Sequence, residues 1–216
     1  MRGEYFSDAT LERQASELLS RYRRATGRSL SAPISAEAIL EQVLDDELGS
    51  PLWDTIPEPA GRTILAGLAP EQRLIVLNED RRAAILGQPG QLNTLIAHEI
   101  GHWFLHVDHA ALAQRTLFDG TYDLAHATGQ GEPSTRDERN AHRFMAYLLL
   151  PADLLVPRAR HCTFTGWRDV YPLRDEFDVT ITVLRIRLEE LGFFYVDTRG
   201  NFHRSPQDAR GQQRLF

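Results

Sequence analysis

The chain has one cysteine, Cys162, and no lysine among its 216 residues. A single thiol closes no internal disulfide, which excludes a disulfide-stapled scaffold and suits a reducing compartment. Every basic residue is arginine, a bias that reads as genome composition and not as function. Positive charge is not in excess: Lys+Arg total 24 against 30 for Asp+Glu, a formal net charge of −6. There is thus no general electrostatic reason to bind nucleic acid or an anionic membrane. No apolar run approaches the roughly 20 residues that span a bilayer, and the opening MRGEYFSDATLERQ lacks the apolar core of a secretory signal. The expectation is a cytoplasmic protein. A hydrophobic content of 42% and a charged content of 25% are those of an ordinary soluble globule, large enough to bury a real core. There is no internal repeat and no low-complexity block.

The chemistry is concentrated in His98-Glu99-Ile100-Gly101-His102. On a helix, residues four apart share a face, so both imidazoles can reach one metal ion. Glu99 then leans over the same ion, where it can take a proton from water activated there, the arrangement of zinc-dependent peptidases. With this composition the pattern arises by chance about once in fifty chains, so its surroundings must decide. Leu92, Leu95, Ile96, Ile100, Trp103, Phe104 and Val107 recur at helical spacing around it, and Pro89-Gly90 supplies a turn just before. One side of the helix is therefore expected to be buried, which would hold the histidine rotamers still. Asn93 and Thr94 are candidate N-caps.

Two histidines and a water leave a catalytic zinc one protein ligand short. A metzincin would need glycine at position 105 and histidine at 108; Leu105 and Asp108 stand there, which excludes that class. The run Gly120-Thr121-Tyr122-Asp123 is similar to that of the aspartate-ligand zincins, but its aspartate comes one position early. A glutamate on a second helix is the better solution. The candidate segment runs from Glu138 to Pro151, with Ala141, Phe144, Tyr147 and Leu148 forming an apolar stripe.

HEIGHWFLH followed by ERNAHRFMAYLLLP resembles the ImmA/IrrE family of bacterial metallopeptidases. Those proteins pair an HExxHxxxLH helix with a second helix of pattern E-x-x-A-N-x-F-A-A-x-L-L-M-P. Glu138, Ala141, Phe144, Ala146, Leu148, Leu149 and Pro151 fall in step; His142 stands where asparagine is usual and Met145 where a small residue is usual. The resemblance extends less specifically from about Pro33 to Phe194. It implies His98, His102 and Glu138 as metal ligands, with zinc the default and manganese or iron also suited. It implies Glu99 as general base. It further implies a regulatory endopeptidase that cuts a helix-turn-helix repressor and so releases a stress or mobile-element response. His142 can hydrogen-bond a ligand, become a fourth ligand, or donate to the developing oxyanion. Tyr147, Tyr122 and His126 are further candidates for the oxyanion donor, and His106 for support behind the ligands.

The expected fold is α+β, a zincin-like core of gluzincin type with a small sheet. Residues 1–30 form an N-terminal helix (Ala9 to Ala25, stopped near Gly27), 31–160 the metallopeptidase domain, and 161–216 a C-terminal helical region ending in a hairpin. A second helix is expected from Ser35 to about Leu48. Thr63 to Leu68 and Leu74 to Leu77 read as a hairpin, either a plain sheet or a strand that pairs with an extended substrate. Asp108 to Arg136 reads as a long flap over the cleft. The tail from Ser205 is expected to fray. Two rival functions remain at this point. Phe177 to Gly192 resembles the turn and second helix of a helix-turn-helix, with Arg185 and Arg187 available to DNA, although Glu189, Glu190 and the acidic chain make direct DNA binding the weaker reading. The other rival is a non-catalytic metal-binding partner protein.

Overall fold

The computed structural model describes residues 6–45, 63–109, 126–130 and 136–211. Helix α1, Asp8–Thr26, begins where Ser7 Oγ accepts from the Thr10 N–H and ends at Gly27 in the left-handed region, whose N–H donates to the Arg23 carbonyl. Its buried stripe is Leu11, Ala15, Leu18 and Leu19. Helix α2, Ala36–Ile39, is capped by Ser35 and widens into a π-turn over Leu40–Leu44. The rest of the expected run, from residue 46, lies outside the described residues.

The hairpin forms as expected, with β1 (Thr63–Ala69) antiparallel to β2 (Leu74–Leu77). The segment from Asp108 to Arg136 departs from expectation. Residues 126–130 form a strand, β3 (His126–Gln130), antiparallel to β1 on the edge opposite β2. The order β2-β1-β3 makes β1 the centre of the sheet, so β1 offers no edge to an extended substrate. The remainder of the expected flap, 110–125 and 131–135, lies outside the described residues.

A 3-10 turn leads into α3 (Arg82–Leu86) and then the long α4 (Gln91–His106). Helix α5 (Arg136–Leu149) and α6 (Ala152–Ala159) follow. Next come α7 (Trp167–Phe177) and α8 (Ile181–Glu190), joined by Asp178, Val179 and Thr180. A two-stranded hairpin, β4 (Tyr195–Val196) with β5 (Phe202–His203), precedes the short α9 (Pro206–Ala209). The tail does not fray at Ser205. Its hydroxyl accepts from the Asp208 N–H, and Pro206 sits at the first helical position.

Helix α4 packs on the sheet and on α5, and α5 in turn packs on α1 and α8. One apolar cluster runs from Leu11 in α1 through Phe144 and Leu148 in α5 to Val183, Leu188 and Val196, so the N-terminal helix and the C-terminal region share a core with the middle of the chain. A smaller cluster of Ala66, Leu77, Ile85 and Leu95 seals α3 and α4 to the sheet.

The start of α4 differs from the expected capping. Gly90, at φ 70°, holds the cap position. Asn93 is instead buried in a tertiary role: its Oδ1 accepts from the Ala36 N–H at 2.8 Å, and its Nδ2 donates to the carbonyls of Ile34 and Asp178. Thr94 Oγ1 accepts from the Thr180 N–H. Both side chains bind distant backbone, which ties α2 and the α7–α8 turn to the metal-motif helix. Gly90 also lies against that turn. A Cβ built there would come within 2.2 Å of the Val179 backbone. Gly90→Ala combines left-handed strain with a backbone clash and is expected to destabilise the fold by about 2–4 kcal/mol. Chemical denaturation measures this; a midpoint within error of the parent would refute the close approach.

Candidate metal centre

The first and second histidines of the motif lie one turn apart on the buried face of α4, with exposures of 1% for His98 and 0% for His102. Glu138, in the first turn of α5, meets them both. His98 Nε2 is 3.2 Å from Glu138 Oε2, His102 Nε2 is 3.2 Å from Glu138 Oε1, and the two Nε2 atoms are 3.0 Å apart. Glu99 is fully buried beside them. The approach of the two helices explains how the ligands meet. Gly101 faces Ala141, and a Cβ on Gly101 would stand only 3.1 Å from the Ala141 carbonyl oxygen. The small residue lets α4 and α5 touch backbone to backbone one turn from the ligands.

These residues fit a metal ion. An ion with bonds of about 2.0–2.1 Å and tetrahedral angles sets its ligand atoms about 3.3 Å apart, close to the three separations observed. The donor chemistry agrees, with two imidazole nitrogens and one carboxylate. Two imidazole nitrogens facing each other at 3.0 Å would otherwise oppose lone pairs or share one proton. Burial pushes the Glu138 carboxyl up, but hydrogen bonds from His102 and His98 and their charge outweigh it, holding the group well below the usual carboxylate range. The carboxylate is therefore ionised near neutral pH.

His142, one turn along α5 from Glu138, packs its ring 4.3 Å from that of His98. A nitrogen of His142 joins atoms of His98 and Glu138 in a group whose atoms all lie within 4.8 Å of one another. The separations among His98, His102 and Glu138, at 3.0–3.2 Å, are those of atoms bound to one ion. Burial, reinforced by the neighbouring His98 and opposed by Glu138, lowers His142 to a pKa of about 4, so it is neutral at pH 7.

The other candidates fall elsewhere. His106 Nε2 lies 3.0 Å from the Asp137 backbone carbonyl. A carbonyl only accepts, so that ring nitrogen donates, and the bond fastens the end of α4 to the turn that carries Glu138. Its Nδ1 faces the Asp137 carboxylate at 3.7 Å. Tyr147 donates to Asp8 at 2.9 Å, and Arg187 stacks over its ring, which directs this hydroxyl to the α1–α8 side of α5 and away from the histidines. Tyr122 lies outside the described residues. His126 opens β3, its backbone paired with Leu68, and its side chain lies outside the described structure.

The two arginines that the rival reading would offer to DNA have partners within the protein. Arg187 is 4% exposed: it donates to the Leu150 carbonyl and pairs with Glu12 at 2.7 Å and Glu190 at 3.4 Å. Arg185 is held by both oxygens of Glu189. Sequence patterning missed a further feature, a cavity of about 550 Å³ that takes His98 and His142 into its wall. It assembles from α4, α5 and α8, three helices whose proximity no local pattern reveals.

The depressed pKa of His142 has a measurable consequence in the metal-free protein. The unfolded chain binds a proton at this residue near pH 6.5, whereas the native state waits until about pH 4. Stability from this group is therefore complete above pH 6.5 and is lost as pH falls toward 4. Between pH 7.5 and pH 5 the metal-free protein should lose stability through His142, by less than the full shift implies because solvent screens this exposed ring. His142→Asn should flatten that part of the profile; an unchanged slope in denaturant titrations at the two pH values would refute it.

Comparison with known proteins bears on the same two helices. No curated protein matches the sequence. The family model Peptidase_M78, described as the IrrE N-terminal-like domain, matches residues 66–189. That span is more than half of the chain and contains both metal-site helices, and the chain belongs to the M78 peptidase family.

Proposed function

We propose that this protein is a zinc-dependent endopeptidase with a zincin-like catalytic core, in which His98, His102 and Glu138 hold the metal and Glu99 is the general base. The observation that carries the reading is the convergence of the two motif histidines on a carboxylate 40 residues away from the first of them, at 3.0–3.2 Å. Bound zinc supplies Lewis acidity, polarising the scissile carbonyl and lowering the pKa of water beside it; manganese or iron suits the same donors. Glu99 takes the proton from the attacking water and delivers it to the leaving amine. Its burial keeps the carboxylate away from bulk solvent. His142, neutral and beside His98, provides the N–H that stabilises the developing oxyanion, with His106 steadying the turn that bears Glu138.

The substrate is a regulatory protein, a helix-turn-helix repressor whose cleavage releases a stress or mobile-element response in the cytoplasm. This part rests on the resemblance to the ImmA/IrrE peptidases. Residues 31–160 carry the catalytic apparatus, with 1–30 and 161–216 as the flanking helical regions that buttress it. Among the described residues no helix is long and apolar enough to cross a membrane. The α7–α8 pair serves packing and substrate docking, since Arg185 and Arg187 are engaged internally.

Two substitutions separate base from ligand. Glu99→Gln should lower proteolysis by at least 10²-fold while metal content stays near that of the parent. Glu138→Ala should lose the metal itself, as read by elemental analysis. Incubating the metal-loaded protein with the repressor encoded beside it should give discrete fragments that a chelator prevents. Cleavage at parental rate by Glu99→Gln would refute the general base, whereas activity retained in the cell by a Glu99→Gln variant that no longer cleaves would favour the non-catalytic metal-binding protein.

A further inference from the structure

The cavity beside the metal centre has a composition of its own. Its floor and walls are Leu95 from α4, Met145 and Ala146 from α5, and Val183 and Ile186 from α8. Four of these are nearly buried, at 3%, 1%, 8% and 8%, while Ile186 is 41% exposed at the rim. An isoleucine so exposed, beside an apolar hollow, leaves hydrocarbon facing water that a bound group would cover. Polar residues, among them Gln91, Arg139 and Thr182, complete the lining, and Arg139 is exposed. Arg143 pairs with Asp8, and Glu190 with Arg187. The surface that the hollow presents is nevertheless mainly hydrocarbon.

His98 and His142 form part of the same wall. A side chain seated in the hollow therefore belongs to a residue adjoining the metal-held carbonyl. We propose that this cavity is the specificity pocket of the peptidase, taking a large apolar side chain (leucine, methionine or phenylalanine) from the residue flanking the scissile bond. This rests on the peptidase reading above. The volume of about 550 Å³ exceeds what one such side chain fills. Selection is therefore for apolar character and not for one shape, and the space left over accommodates the neighbouring residue of the peptide. Ala146 is the gatekeeper by size: a larger residue there projects into the hollow from its floor.

The test uses metal-chelating hydroxamates on the zinc-loaded full chain, with affinity read by calorimetry. Acetohydroxamate reports on the metal alone. Phenylpropanohydroxamate and isocaproic hydroxamate add an apolar arm, and succinate monohydroxamate adds a charged one. Burial of the apolar arm should tighten binding roughly tenfold or more over acetohydroxamate. The charged arm should give no gain. Ala146→Phe should erase the gain while zinc content is retained, and Val183→Phe should do the same should the first variant fold poorly. If acetohydroxamate binds and the apolar arms add nothing, the pocket is refuted and the metal site stands. Should acetohydroxamate fail to bind the zinc-loaded protein, the peptidase reading falls and takes the pocket with it. A gain that survives both phenylalanine substitutions would place the apolar arm elsewhere and overturn the assignment.

Discussion

The contact between Gly101 and Ala141 sets the geometry on which the metal site depends. Side chains normally hold packed helices 8–10 Å apart, axis to axis. Here a Cβ at Gly101 would already press on the Ala141 carbonyl oxygen at 3.1 Å and the Ala141 Cα at 3.2 Å. Gly101 directly precedes His102, and Ala141 lies three residues beyond Glu138, nearly one helical turn. The closest approach of the two helices therefore sits next to the groups that must converge. A bulkier pair would widen the gap where a carboxylate side chain has to reach two imidazoles. Above this contact, Phe104 stacks on Phe144 with centroids 5.9 Å apart, which resists sliding of one helix along the other. Below it, Asn93 and Gly90 pin the N-terminal end of α4 to α2 and to the α7–α8 turn.

How much of this was legible in the sequence follows from the range of each interaction. Helix α1 was readable nearly to the residue, because its boundaries are fixed by a local serine cap and a left-handed glycine. The histidine pair was equally plain, since a spacing of four is a property of one helix. Glu138 was reached by asking for a third ligand on a second amphipathic helix, and the resemblance of that helix to a known pattern supported the choice. The strand β3 was invisible for a physical reason: His-Ala-Thr-Gly-Gln carries neither apolar alternation nor β-branched enrichment, and it becomes a strand by pairing with β1 some sixty residues earlier. Asn93 and Thr94 misled for a related reason. Both are good capping residues, yet each hydrogen-bonds backbone far away in sequence, and tertiary demand overrides local preference.

The α7–α8 pair shows that a recognisable local motif does not settle its use. Its turn has the length expected of a helix-turn-helix, but Arg187 points inward, over the Tyr147 ring and onto Glu12 and the Leu150 carbonyl. With Asp8, Arg143 and Glu190 these groups make a polar cluster linking α1, α5 and α8. Stripping Arg187 of its partners would leave a buried charge, which is why such networks are difficult to dismantle piecemeal. On α5 the cluster is centred on Tyr147, while Arg143 and Glu190 also reach the cavity that His98 and His142 line. The same helix thus holds the chain together and carries chemistry.

The electrostatics of the metal side follow from its burial. His98, Glu99 and His102 are withdrawn from solvent almost completely, and Glu138 remains ionised at neutral pH. Burying a carboxylate costs free energy unless hydrogen-bond donors or positive charge compensate it. A divalent cation among these side chains would offset the negative charge of Glu138. An apolar hollow directly beside this group sharpens the effect, because a low-dielectric wall strengthens every charge interaction next to it. Hydrocarbon from a substrate closing that hollow would drive out the remaining water and strengthen the electrostatics at the reacting carbonyl, coupling recognition of an apolar side chain to the chemistry one residue away.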